Sequence, residues 1–325
     1  MEHHAALPID GNKMNDLILH HYPRSPFAEK VRLILAYKKL EWKSVVIPMV
    51  MPKPDVVALS GGYRKTPILQ IGADIYCDTA LICDVLEHLR PAPTLYPAHN
   101  KGVARVIAQW ADNSLFWAAM GHNFSRKGAA QLFVADPPDT GKAFAEDRAK
   151  MSVAVPRIGP ADAAAAYKSY LRRLANMLEE QPYLLGQQPC VADFAAYHPL
   201  WFTRHRTSVM AGILDATPGV LAWMDRLAAI GVTSAGELHA EEAIAIAARS
   251  TPVSLHDAVF QDEHGIALGS QVTIAGDSFG PEPSTGELVA ATRMHYTLRR
   301  VDERAGTVHV HFPRIGYVLR AVRSS

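Results

Sequence analysis

Apolar and polar positions follow two rhythms along this chain, and the changes of rhythm divide it into three parts. Leu17-Ile18-Leu19 is a short apolar run leading into His20-His21-Tyr22-Pro23-Arg24. Phe27, Val31, Ile34 and Leu35 then recur at helical spacing, leaving Lys30, Lys38 and Lys39 free to face water. Trp42 to Ile47 reads as a strand, Pro54 to Leu59 as a short helix, and Pro67 to Ile71 and Ile75 to Cys77 as strands joined by a turn at Gly72-Ala73-Asp74. Asp78-Thr79 opens a helix with Ile82, Val85, Leu86 and Leu89 on one face, and Pro91 ends it. The order is β-α-β-α-β-β-α, a compact α/β unit.

Pro91-Ala-Pro-Thr-Leu-Tyr-Pro97 reads as a linker, and helical spacing returns over 100–133, 161–180, 191–205, 218–230 and 236–249. Ala135 to Gly141 interrupts that series as a loop, either over a pocket or merely between helices. After Thr251-Pro252 the period becomes two: Val308, Val310 and Phe312 alternate with Thr307, His309 and His311, and 268–274 and 296–298 also read as strands. Glycines punctuate them at turn-like intervals. The tail is therefore expected to be a small antiparallel barrel-like module. The organisation is a leader at 1–15, an α/β domain at 16–90, a linker at 91–99, an all-helical domain at 100–250 and a small β domain at 251–325.

The densest chemistry lies at Ser25-Pro26. Pro26 suits the first helical position, where a missing N–H costs nothing, and Ser25 is a good N-cap. A hydroxyl thus stands where free backbone N–H groups and the positive helix end favour an anion. Pro67 at a strand start implies either a sheet edge or a cis peptide.

Three segments in order, Ser25-Pro26-Phe27-Ala28-Glu29-Lys30-Val31-Arg32, Lys65-Thr66-Pro67-Ile68-Leu69 and Ile75-Tyr76-Cys77-Asp78-Thr79-Ala80-Leu81-Ile82, resemble the cytosolic glutathione transferase family. Gly186 to Asp193 and Pro218 to Arg226 are similar to segments of its helical domain, with Cys190 standing where Ser or Thr usually caps. The resemblance covers about residues 16–250. It implies a thioredoxin-like domain with cis Pro67, followed by an all-α domain. It also implies that Thr66 bonds the cysteinyl backbone of glutathione, that Asp78 and Thr79 hold the γ-glutamyl end, and that Ser25 contacts the sulfur. Tyr22 is the competing hydroxyl, because some relatives use a tyrosine of the first strand. On the first long helix, Trp110, Asn113, Phe116, Trp117, Met120 and His122 crowd together. Core packing explains most of them, while one face, Trp110, Phe116 and Trp117 together with Phe27, offers an apolar substrate wall.

Composition fits this reading. With 325 residues, 49% hydrophobic and a net charge of +1, the chain can bury two cores and has no global attraction to nucleic acid. An arginine excess near the end reads as a solvated face. Three cysteines and no CxxC pair exclude a disulfide framework and a thioredoxin-type dithiol. No apolar run reaches the ~18 residues that span a bilayer, and a secretory signal core is missing, so a cytoplasmic location is expected. His309 and His311 share a strand face, but no third ligand has diagnostic spacing and no metal is expected.

The expected function is a glutathione S-transferase that ionises the tripeptide's thiol for attack on an apolar electrophile, in detoxification and as a homodimer. The alternatives are a non-catalytic binding or scaffold protein with the same fold and, behind it, a glutathione-dependent thiol reductase. Ser25 cannot form the mixed disulfide that a reductase needs.

Overall fold

The computed structural model describes residues 17–155, 158–233, 236–255, 260–261 and 263–322. The expected leader, 1–15, lies outside the described residues. The first part contains β1 (Leu17–His21), α1 (Pro26–Tyr37), β2 (Lys43–Val46), α2 (Pro54–Ser60), β3 (Ile68–Ile71), β4 (Asp74–Cys77) and α3 (Thr79–Leu89), in the expected order. β1 pairs parallel with β2 and antiparallel with β3, which pairs antiparallel with β4. This is a thioredoxin-like domain. The Thr66–Pro67 peptide is cis and β3 lies between two neighbours, so of the two explanations for Pro67 the sheet edge is excluded.

One expectation for α1 is corrected. Lys39 is exposed, but Lys30 and Lys38 are buried. Each has a carboxylate waiting, Asp112 for Lys30 and Glu87 for Lys38, and Lys38 also donates to the Arg90 and Pro93 carbonyls. A periodicity count treats lysine as water-seeking; a second helix that supplies an acid reverses that.

The second part is helical: α4 (Lys101–Trp110), α5 (Phe116–Asn123), α6 (Arg126–Leu132), α7 (Thr140–Met151), α8 (Pro160–Met177), α9 (Val191–His205) and α10 (Pro218–Ala228). The single helix expected over 100–133 is interrupted by a π turn at Ala111–Leu115 and again near Ser125. α7 was not foreseen in the polar stretch that follows. Asp193 anchors the start of α9: fully buried, it accepts from the Leu184 and Cys190 backbone N–H groups and from Trp223 Nε1, at 2.8–2.9 Å. Cys190 therefore keeps the reciprocal acid of a capping box although its own side chain is a thiol.

Beyond α10, β5 (Gly236–Glu237) adds parallel to β2, and α11 (Ala240–Arg249) packs against α2. Five strands follow: β6 (Gln271–Gly276), β7 (Ser284–Ala291), β8 (His295–Asp302), β9 (Gly306–Pro313) and β10 (Tyr317–Ala321). They pair antiparallel in the order β10-β6-β7-β8-β9. Laid flat, four strand spacings of ~4.8 Å would separate β9 from β10 by ~19 Å. Only Arg314 to Gly316 connect them, a reach of at most ~15 Å. The sheet must curl. It does not close into a barrel, because the second edge of β9 is taken by β4 in a parallel ladder, Asp74 to Tyr76 beside His309 to His311.

That ladder joins the ten strands of the described residues into one sheet. The tail is thus woven into the first domain rather than appended to it. Ile68, Ile75 and Cys77 share a core with Val272, Leu288 and Phe312, so the apolar faces complete one another. Both ring nitrogens of His311 are engaged, Nε2 with Asp74 at 3.1 Å and Nδ1 with Thr297 at 2.9 Å. That is the duty of a histidine at a seam.

A chain ended after Ser250 would bare the edge of β4 and half of this core. Such a product is expected to aggregate or to unfold without cooperativity, as read by size-exclusion chromatography and thermal melting. A monodisperse product with a sharp transition would show that the two parts fold independently.

Candidate functional site

A cleft of about 1000 Å³ opens where the three parts meet. The starts of α1 and α3 and the turn before β3 form its floor. α4, α5 and α7 form one wall, and the β6–β7 and β9–β10 connections form the other. Tyr22, Ser25, Phe27, Thr66, Pro67, Asp78, Thr79, Phe116 and Trp117 all line it.

Ser25 is the N-cap of α1 and accepts the Ala28 N–H through Oγ at 3.2 Å. With its oxygen occupied by the backbone, its proton remains available to donate. The Tyr22 hydroxyl lies beside Arg148, accepting from Nη2 at 3.2 Å. Thr66 Oγ1 is buried and without a hydrogen-bond partner among the described residues. A buried hydroxyl left open in a cleft wall is a place where a ligand group would be accepted. Asp78 caps α3, accepting the Ala80 N–H through Oδ1 at 2.9 Å, in a left-handed backbone with φ +78°.

Trp110 is the exception among the expected residues. It does not line the cleft but packs edge-on against Tyr170 of α8, ring centroids 5.2 Å apart. In an unbroken helix Trp110 and Trp117, seven residues apart, would share a face. The π turn between them inserts about one residue and rotates Trp110 away toward the core. Phe279 takes up a neighbouring position instead, 5.2 Å from Trp117, and it comes from the tail.

Beneath the floor, Lys30 Nζ donates to Asp112 Oδ2 at 2.6 Å and to Thr79 Oγ1 at 3.1 Å. Burial works against the ammonium, but the surrounding groups, Asp112 foremost, together leave the Lys30 pKa above the usual lysine range. Burial likewise opposes the Asp112 carboxylate, yet Lys30 and His198 hold its pKa below normal. Burial lowers the His198 pKa despite Asp112, so the ring is neutral and donates through Nε2 at 2.9 Å. The loop at 135–141, left open between two readings, is tied to the site: Asp136 forms a bidentate ion pair with Arg24. Arg64, next to Lys65 and Thr66, clamps Asp147 of α7 and Glu282 of the tail together. The sequence offered no sign of this clamp, because its partners are 83 and 218 residues away.

The cysteines take no part. Burial pushes the Cys83 and Cys190 thiols up to about 12 and the Cys77 thiol well above its usual range, so none is a thiolate near neutrality.

The glutathione S-transferase N-terminal domain model matches residues 19–94 and the C-terminal domain model matches 142–226. A GST-like protein from Pseudomonas syringae superimposes with a TM-score of 0.79 at 40% identity, covering 95% of this chain and all of that one. The chain belongs to the glutathione S-transferase family. A glutathione S-transferase from Rhodospirillum rubrum, 19% identical, shares the fold with a TM-score of 0.50 over 65% of this chain and 87% of its own. A curated relative, FtsZ-localized protein A of Caulobacter vibrioides, is 24% identical over 184 residues, 55% of this chain and 73% of that protein. The Pseudomonas match is too long to leave out the C-terminal strands, which lie beyond both domain models.

For this family member, the Lys30–Asp112 pair is the electrostatic support of the cleft floor. Lys30→Met leaves a mostly buried carboxylate uncompensated and is expected to cost about 3 kcal/mol in urea unfolding. Adding Asp112→Asn, which removes the stranded charge but keeps an acceptor for His198, should regain part of it. Equal costs for the single and double variants would dismiss the pair as a support.

Proposed function

We propose that the chain binds glutathione in this cleft and ionises its thiol for addition to a largely apolar electrophile. The observation that carries the reading is the Ser25 hydroxyl, capped onto the start of α1 with its proton free and facing the cleft that Thr66, Pro67, Asp78 and Thr79 also line. Asp78 would take the γ-glutamyl ammonium, the start of α3 its carboxylate, and Thr66 the cysteinyl backbone.

Magnitudes support this division of labour. A free thiol with pKa about 8.5 is only a few per cent ionised at pH 7. Lowering it by about two units needs roughly 2.7 kcal/mol of preferential thiolate stabilisation. One hydroxyl donor to a charged acceptor supplies about 1.5–3 kcal/mol, and a helix N-terminus some tenths more. Ser25 therefore acts as a donor to sulfur, neither base nor nucleophile. The thiol proton leaves to solvent, and the thiolate forms a C–S bond to carbon as the electron pair of the bond broken departs with a halide or phenolate, opens onto the epoxide oxygen, or passes into the enone and is then protonated by water. Phe27, Phe116, Trp117 and Phe279 supply an apolar wall for that co-substrate. A cytoplasmic homodimer engaged in detoxification belongs to the same proposal.

A second reading is a binding or scaffold protein that keeps the fold without turnover. The curated relative favours it, since its name records where it localises and not a reaction. Ultraviolet titration of the thiolate in the glutathione complex separates the two, and a panel of halogenated aromatics, epoxides, enones, peroxides and β-aryl ethers would identify the electrophile.

Ser25→Ala is expected to leave glutathione affinity within a few-fold and to raise the pKa of the bound thiol by at least about one unit. An unchanged thiol pKa would transfer the role to Tyr22 or to backbone N–H groups. Asp78→Asn keeps the cap on α3 but loses the charge, so calorimetry should record about 1.5–3 kcal/mol weaker glutathione binding. Full affinity would remove Asp78 from the site.

A further inference from the structure

Within the tail, Tyr317 opens β10 directly after Gly316, whose φ of +86° is a backbone conformation suited to glycine. The turn is fastened from the other connection by Asp277, whose N–H donates to the Gly316 carbonyl at 3.0 Å. The Tyr317 side chain is buried and crosses to the first domain. Its hydroxyl donates to Asp78 Oδ2 at 3.0 Å, so one carboxylate oxygen is held by the cap of α3 and the other by the phenol. The ring carries the Lys65 ammonium over it at 4.4 Å, and Tyr63 offers a second ring at 5.4 Å.

Asp78 and Lys65 both line the cleft and attract each other electrostatically, but no salt bridge joins them among the described residues. Tyr317 lies between their roles. Through its hydroxyl it fixes an anion, and through its ring face it seats a cation, each left with capacity for a ligand. An α-amino-acid group presents the complementary pair, an ammonium for Asp78 and a carboxylate that Lys65 would share with the start of α3.

We propose that Tyr317, from the C-terminal strands, is a positioning residue of the ligand site, holding Asp78 and Lys65 apart and oriented for a zwitterionic α-amino-acid group. The inference rests on the glutathione reading above and extends it: Tyr22, Ser25, Thr66, Asp78 and Thr79 of the first domain are joined across the sheet by a residue of the tail.

The test compares glutathione with its desamino analogue, glutaryl-cysteinyl-glycine, by calorimetry on the full chain. Tyr317→Phe removes the hydroxyl and keeps the ring, so it should weaken glutathione by roughly three- to tenfold while leaving the desamino analogue unchanged, because that ligand has no ammonium for Asp78 to hold. Tyr317→Leu removes the ring as well and should weaken both ligands. The ratio of the two affinities does not depend on the fraction of protein folded, so destabilisation alone cannot produce the selective loss. An equal effect of Tyr317→Phe on both ligands, or none on either, overturns the proposal. If the unaltered chain binds neither ligand, the glutathione reading itself fails and this inference falls with it.

Discussion

The parallel ladder between β4 and β9 is the constraint on which the rest of the molecule depends. A thioredoxin-like sheet that ended at β4 would carry an open edge next to the start of α3. Here that edge is hydrogen-bonded to β9, and the price of the closure is that the curled C-terminal sheet cannot close on itself. Because a strand edge can be used only once, joining the two sheets and sealing a barrel exclude each other. The seam is buried and specific: Tyr76 stacks on His311 at 4.6 Å, and His311 reaches Asp74.

From that seam follows the shape of the cleft. Once β9 is fixed beside β4, the β9–β10 turn stands over the start of α3, and the β6–β7 connection reaches the helical wall, where the Gly280 N–H donates to the Met151 carbonyl. Arg64 is the point at which all three parts are tied, through Asp147 and Glu282. Ion pairs of this kind, largely removed from water, contribute registration more than net stability, since desolvation offsets much of the attraction. Their value here is geometric. They hold walls from distant parts of the chain around one volume.

Much of this was legible in local pattern. The order of the first seven elements follows from period and from turn residues, and Ser25-Pro26 and Asp78-Thr79 announce helix starts because capping is a matter of neighbours within three residues. Such signals are short-range, so a sequence can carry them openly. Burial of Lys30 and Lys38 was not legible, since it depends on acids 82 and 49 residues away. Trp110 was misplaced because a π turn leaves no reliable mark in composition, yet it changes the phase of every later side chain on the helix.

The sequence by itself determined the family, the two-part N-terminal architecture and the hydroxyl, the proline and the acid that meet at the cleft floor, because each is written in residues that act on their own backbone. Tertiary structure alone decided that the tail belongs to the first sheet and that Tyr317 and Phe279 enter the cleft. Alternation marks a strand and its two faces but says nothing of which edge it will join, and that choice was made by the complementarity of two half-cores separated by some 200 residues.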